Sequence, residues 1–391
     1  MNDQKQNNRS FLLVKLIYAH LNHLKSCCFS IVLLVFTITL ILTLAYYSHR
    51  FPLHNINIIT IQTPQKLHAL NTPLSPSASK NNSYEDNHAI ESYPIHKSSS
   101  DEELMRRASN VTRMENFGVP KIAFMFLIKG SLPLAPLWEK LFKGHERLYT
   151  IYVHSDPSYK SSAELNSGVF RGRMIPSKKV EWGKFNMIEA ELRLLANALQ
   201  DVSNQRFVLL SETCIPLFNF STIYSYLINS TQSYVQAYDK SGPAARGRYK
   251  HRLGPNITVQ DWRKGSQWFE MDRELAIKVM SDQRYFLSFK GACLKSACYA
   301  DEHYLPTWMN MNAGQRNSNR SITWVNWSKG GCHPTKYDRI HITGEFLKKL
   351  RNWKTCQYNG KKTNICFLFA RKFMPKTLNR LLMLAPLIMG F

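Results

Sequence analysis

The 391-residue chain is short of acid: 27 Asp and Glu stand against 51 Lys and Arg, and no Asp-x-Asp occurs anywhere. Without that pair one common carboxylate bracket for a divalent cation is missing, and any anionic ligand is left to fixed Lys and Arg side chains. Cysteine is scarce as well, eight in all with no paired C-x2-C, which argues against zinc ligation by thiolates. Apolar material is ample. A composition of 44% hydrophobic and 12% aromatic residues against 20% charged excludes a wholly disordered regulator.

Charge is also absent from Phe29 to Tyr47, a 19-residue run about long enough to cross a hydrocarbon core of roughly 30 Å as a helix. Lys5, Arg9, Lys15 and Lys25 precede it, whereas only Arg50 and Lys66 lie in the 20 residues beyond, so the positive-inside bias keeps the N-terminus cytoplasmic. A cleaved signal peptide is the competing reading. Against it stand the long n-region, an apolar run longer than the usual h-region, and the lack of a small-x-small site after Leu44. The expected order is a cytoplasmic tail at 1–28, a signal anchor in membrane lipid at 29–47, a luminal stem at 48–116 rich in Ser, Asn, Pro and His, and a luminal domain at 117–391.

Sequons begin at Asn81, Asn110, Asn219, Asn229, Asn256, Asn319 and Asn326, all on the side assigned to the lumen; Asn8 on the other side shows that one sequon alone carries little weight. Cys27 and Cys28 sit at the membrane edge, where palmitoylation is an option. Of the six remaining cysteines, Cys293 with Cys298 and Cys356 with Cys366 close short local loops and are the expected disulfides, leaving Cys214 and Cys332 unpaired. The formal charge of +24 would suit nucleic acid, but that reading needs the charge in cytosol or nucleus, which the orientation contradicts, so no nucleic-acid partner is expected.

Within the luminal part, Lys121 to Ile128 and Leu148 to Val153 read as strands, with a helix-length stretch from Leu134 to Phe142 between them. Asn186 begins a helix with Glu189 three residues on, an Asn variant of the capping box, and Ile188, Leu192, Leu195 and Leu199 repeat on one face. Arg206 to Leu210 is the next strand. This alternation predicts an α/β fold with a mainly parallel sheet and ligands at the carboxyl ends of its strands.

Five segments in order carry a resemblance: Trp182-Gly183; Phe207-Val-Leu-Leu-Ser-Glu-Thr-Cys-Ile-Pro216; Trp262-Arg-Lys-Gly-Ser-Gln-Trp-Phe-Glu270; Tyr299-Ala-Asp-Glu-His-Tyr-Leu-Pro306; and Cys366-Phe-Leu-Phe-Ala-Arg-Lys-Phe373. From about Val119 to Phe391 the chain resembles the core-2/I-branching β-1,6-N-acetylglucosaminyltransferase family, most closely its plant branch. The resemblance implies a GT-A type nucleotide-sugar fold, inversion at the anomeric carbon and catalysis without a metal cofactor. A UDP-sugar donor, a glycan acceptor on glycoprotein or polysaccharide, and a Golgi membrane location follow as expectations. A membrane-tethered carbohydrate-binding protein that kept the fold and lost turnover is the alternative.

An inverting transfer needs one base for the acceptor proton, and the family's acidic D-E motif places it at Glu302; without the resemblance, Asp301-Glu302 would read as an acidic helix start. His303 would orient that carboxylate or contact the acceptor, and Tyr304 and Trp308 would stack on sugar, ordinary packing being the alternative for Trp308. Between Lys329 and Arg380, 13 basic residues face two acidic ones, and the family's diphosphate lysine matches Lys372. Lys336 falls near the family's arginine, with Arg339 competing. For the nucleotide, the family's uracil-side carboxylate matches Asp156; Ile128 and Lys129 end the first strand, and Lys129-Gly130 departs from the animal members' pattern. Glu212 follows a strand, where α/β proteins bind substrate. Trp262, Arg263 and Arg248 are candidates for the acceptor groove. Glu270-Met-Asp272 has acid-x-acid spacing suited to a metal, or else Asp272 caps the following helix.

Overall fold

In a computed structural model, described for residues 39, 101–110, 118–159, 165–166, 168–294 and 297–391, alternation along one strand organises the chain. In β1 (Lys121–Leu127), Ile122, Phe124 and Phe126 enter one hydrophobic cluster, while Ala123, Met125 and Leu127 enter another. Both faces are therefore covered, which is why this strand reads as an unbroken apolar run. It pairs in parallel with β2 (Tyr149–His154) and β3 (Asn204–Leu210).

Past β4 (Ile215–Pro216) comes β5 (Glu270–Asp272), which adds antiparallel to β3 and completes a sheet of order β2-β1-β3-β5. A second sheet runs β4, β9 (Phe369–Arg371), β6 (Thr323–Val325), and β7 (Cys356–Tyr358) with β8 (Lys361–Thr363) forms a hairpin. The fold is α/β with a mainly parallel central sheet, as the strand and helix order predicts.

The helices are α1 (Asp101–Ser109), α2 (Ala135–Phe142), α3 (Asn186–Leu199), α4 (Phe220–Ile228), α5 (Arg273–Met280), α6 (Arg284–Cys293), α7 (Tyr304–Asn312), α8 (Gly344–Arg351) and α9 (Leu378–Leu384). Leu137, Trp138 and Leu141 of α2 cover one sheet face; Ile188, Leu192, Leu195 and Leu199 of α3 cover the other.

Three local expectations need correction or sharpening. Helix α3 starts at Asn186, but its N-cap is Phe185 without a side-chain cap; Asn186 Oδ1 accepts from the backbone of Glu181 at 3.1 Å, and Glu189 pairs with Lys290 at 3.1 Å. Helix α1 falls inside the stretch read as stem, yet Ala108 is fully buried and Leu104 and Met105 pack on the core, so Asp101–Ser109 belongs with the domain. Asp272 caps α5 by accepting from Leu275 at 2.9 Å. Glu270 takes both oxygens to Arg206, at 2.6 and 2.8 Å, inside the core, so this acid-x-acid pair is occupied by the fold itself.

Cys293–Cys298 and Cys356–Cys366 are disulfides, and Cys214 and Cys332 are free. Apart from residue 39, the expected span at 29–47 lies outside the described residues, as do Cys27, Cys28, Asn81 and the expected stem up to 100. Among the described residues no helix is long and apolar enough to cross a membrane.

Candidate active site

Because β1, β2 and β3 are parallel, their carboxyl ends meet at one edge. Ile128 donates its N–H to the His154 carbonyl at 2.9 Å, holding the two strand ends together. Beyond them, Lys129 lies near enough to Asp156 to help lower its pKa. The first cause of that lowering is the hydrogen bonding of Ser158, whose hydroxyl and N–H reach Asp156 Oδ1 at 2.7 and 2.9 Å. Gly130 faces Tyr159, whose ring would sit 3.3 Å from an added Cβ. Ile128, Lys129 and Asp156 are thus brought together.

At the end of β3, Thr213 accepts the N–H of Phe373 at 3.0 Å, which carries Lys372 to the same edge. Around Lys372 the balance is positive. Burial, then Arg371, pull its pKa below the usual lysine value, Glu212 works the other way, and Lys336 adds to the lowering. Arg371 is sunk deeper, its guanidinium 4.1 Å over the Trp268 ring with Nε unpartnered among the described residues. Glu212, Lys336 and Lys372 therefore share one neighbourhood. Arg339 is exposed in a short 3-10 turn (Arg339–His341) and is not drawn into it by any described contact.

Glu302 stands at the end of another 3-10 turn, Ala300–Glu302. Its Oε2 accepts from Arg248 Nη1 at 2.6 Å and from Lys264 Nζ, while no described residue bonds Oε1. Lys264 is fixed in turn by two backbone bonds with Tyr238, at 2.8 and 2.9 Å, and Arg248 lies over the Tyr299 ring at 3.9 Å. The neighbouring Gly265 donates to the Glu302 carbonyl at 2.8 Å; a Cβ there would lie 1.8 Å from the Gln236 carbonyl oxygen, so only glycine fits.

Asp301 turns inward. Burial, then the charge of Glu302, push its pKa up to about 7, and its Oδ1 has no partner among the described residues. Glu191 of α3 is raised well above the carboxylate range by burial and by Asp301, and accepts from Gln267 at 2.9 Å.

One segment touches both groups. Lys264 meets Glu302 and Trp268 lies under Arg371, and four residues of chain span at most about 14 Å. Trp182, 56% exposed, adds a second link, its ring 5.1 Å from Tyr299 and 5.4 Å from His333.

Several expected contacts are overturned. His303 is buried, stacked 4.3 Å from Trp262, and donates Nδ1–H to the Arg263 carbonyl at 2.9 Å; burial drives its pKa down to about 3, so it is a neutral clip between loops and does not orient Glu302. Tyr304 is buried with its hydroxyl on Asp282 at 2.8 Å, and Trp308 belongs to the same core. Trp262 is buried and donates to the Ala245 carbonyl at 3.0 Å; Arg263 is tied to the carbonyls of Gln260 and Trp262. Of these five, His303, Tyr304, Trp308 and Trp262 are buried, and Arg263 is half-buried and tied back to its own loop. Lys264, Tyr299, Trp182 and Arg371 take their places, and all four stand inside the segments that carry the resemblance.

The Core-2/I-Branching enzyme family model matches residues 122–351. That span includes Glu302 and stops short of Lys372. Among curated proteins, Glycosyltransferase BC10 of Oryza sativa subsp. japonica is 33% identical over 300 residues, 66% of this chain and 74% of that protein. Among solved structures, the crystal structure of an active-site mutant of LgtC aligns over 48% of this chain and 69% of its own, at 8% identity and a TM-score of 0.28, too slight a likeness to carry weight.

Proposed function

The chain belongs to the core-2/I-branching enzyme family and is a glycosyltransferase, and from that premise we propose an inverting transfer of a sugar from a UDP-sugar to a glycan hydroxyl. N-acetylglucosamine or a related sugar is the proposed cargo, a β-linked branch the product, and a GT-A type fold the frame. The observation that carries this reading is the Glu302 carboxylate, anchored through Oε2 by two cations with Oε1 unbonded by any described residue, on a loop linked through residues 264–268 to Arg371 of β9.

The acceptor oxygen attacks the anomeric carbon while its proton passes to Glu302 Oε1. On the opposite face the bond from that carbon to the diphosphate breaks, and the electron pair leaves with UDP. Lys372, Arg371 and Lys336 meet the charge that develops, so no divalent cation is required in this reading. Ile128, Lys129 and Asp156 would receive the nucleoside.

Glu302→Gln is expected to lower transfer by about 10²- to 10⁴-fold with UDP binding retained; an unchanged rate would refute the assignment. Strict dependence on manganese would refute the cationic clamp. We further propose a Golgi membrane protein of type II orientation, a reading supported by the uncharged run at 29–47, the asymmetry of charge around it and two disulfides. Glycans on Asn229, which ends α4 at an exposed position, would place the domain in the lumen.

A further inference from the structure

Helix α1 lies upstream of the family match, which begins at residue 122, yet it is joined to the edge proposed to receive the nucleoside. The joint is Arg193 of α3, which is buried. Its Nε and Nη2 donate to the two oxygens of Asp101 at 3.1 and 2.7 Å, and its Nη1 lies 3.3 Å from His154 Nε2. The backbone N–H of Lys178 donates to the same Nε2 at 3.3 Å. Two donors on one ring nitrogen make it an acceptor and leave the imidazole proton on Nδ1.

His154 is the last residue of β2, buried, with its carbonyl on Ile128 and with Asp156 two residues on. Asp101 grips the other side of this strand end as well, through Lys178 Nζ. The segment before Lys178 flanks β2: Val153 bridges Met174, and Ser155 donates its N–H to Ser177 Oγ at 3.3 Å. One carboxylate therefore clips both neighbours of His154.

We propose that Asp101 is a positioning residue for donor binding, fixing the carboxyl end of β2 through Arg193, His154 and Lys178. The proposal rests on the reading that this edge takes UDP. Apolar contacts of Leu104, Met105 and Ala108 also hold α1 on the core. The acid adds something else: without it Arg193 is a buried cation with no anion among the described residues, and a guanidinium in that state recruits water or moves, carrying His154 with it. Burial, then Arg193, already hold the His154 pKa down at about 4, so the ring cannot answer by taking a proton at neutral pH.

The test uses the full chain in detergent. Asp101→Asn is expected to weaken UDP binding by about tenfold and to speed amide exchange at 153–156, with exchange in α8 unchanged. Arg106→Ala, which removes an exposed ion pair on the same helix, should alter neither. Wild-type UDP affinity in a folded Asp101→Asn chain, or faster exchange spread evenly over α8 and β2, would overturn the proposal. If the unaltered chain fails to bind UDP, the functional reading falls instead, and exchange at 153–156 still decides whether Asp101 positions that strand end.

Discussion

Positive charge gathers at two places in the domain and is handled in opposite ways. At Glu302, Arg248 and Lys264 converge on one carboxylate oxygen and share its counter-charge. At the end of β9, Arg371 and the following Lys372 are crowded together with Lys336, with Glu212 as the acid acting on them. Side chains of the same type anchor a carboxylate in the first cluster and outnumber their acid in the second, where the diphosphate is proposed to bind. A static cation already paired orients its partner; one held among like charges in a partly dry setting strengthens its hold on an arriving anion.

The contrast breaks most directly at β9. Lys372→Ala should lower kcat/KM by about 10²- to 10³-fold, with Lys372→Arg restoring part of the loss; steady-state kinetics with a UDP-sugar decides it, and wild-type activity in the alanine variant would erase the distinction. Lys264→Ala should cost less, about tenfold in kcat with donor KM little changed, because Arg248 still holds Oε2. A rise in donor KM instead would mean that both clusters serve the diphosphate.

Asp301 sharpens the comparison through pH. Raised to about 7, it is neutral below that value and ionises above it, placing a second buried negative charge beside Glu302. Activity should therefore decline as pH climbs through 7, and in Asp301→Asn that limb should disappear; an unchanged limb would show that another group causes it. The smallest effect is expected at Lys361 and Lys362, exposed on the β7–β8 hairpin, where alanine should leave transfer within about twofold of wild type because solvent already screens them.

What the sequence could reveal tracks the range of the interaction. The strands show in their apolar runs, the two disulfides in their short intervals, and the Asp272 cap in its place before α5. Long-range partners do not show: Glu270 meets Arg206 from 64 positions away, and Asp101 meets Arg193 from 92. Helix α1, nine residues with six of them charged or polar in the run Asp-Glu-Glu-Leu-Met-Arg-Arg-Ala-Ser, resembles solvated stem until Arg193 is seen beneath it. Aromatic residues misled for a related reason. Trp262 and Tyr304 have the chemistry to stack on sugar, but Trp262 stacks on His303 and Phe289, and nothing in their spacing separates the two outcomes.

Tyr299 adopts a left-handed backbone, φ 49°, and its ring sits 3.1 Å from where a Cβ on Gly183 would be; Gly183 itself needs φ +78° and gives its carbonyl to the N–H groups of both Cys298 and Tyr299. The turn at 182–183 and the loop at 298–302 are thus cut to fit one another, although more than a hundred residues separate them. Anyone grafting the second from a relative will have to bring the first along. Otherwise the transplanted ring meets a foreign surface, and the guanidinium resting on it loses its seat.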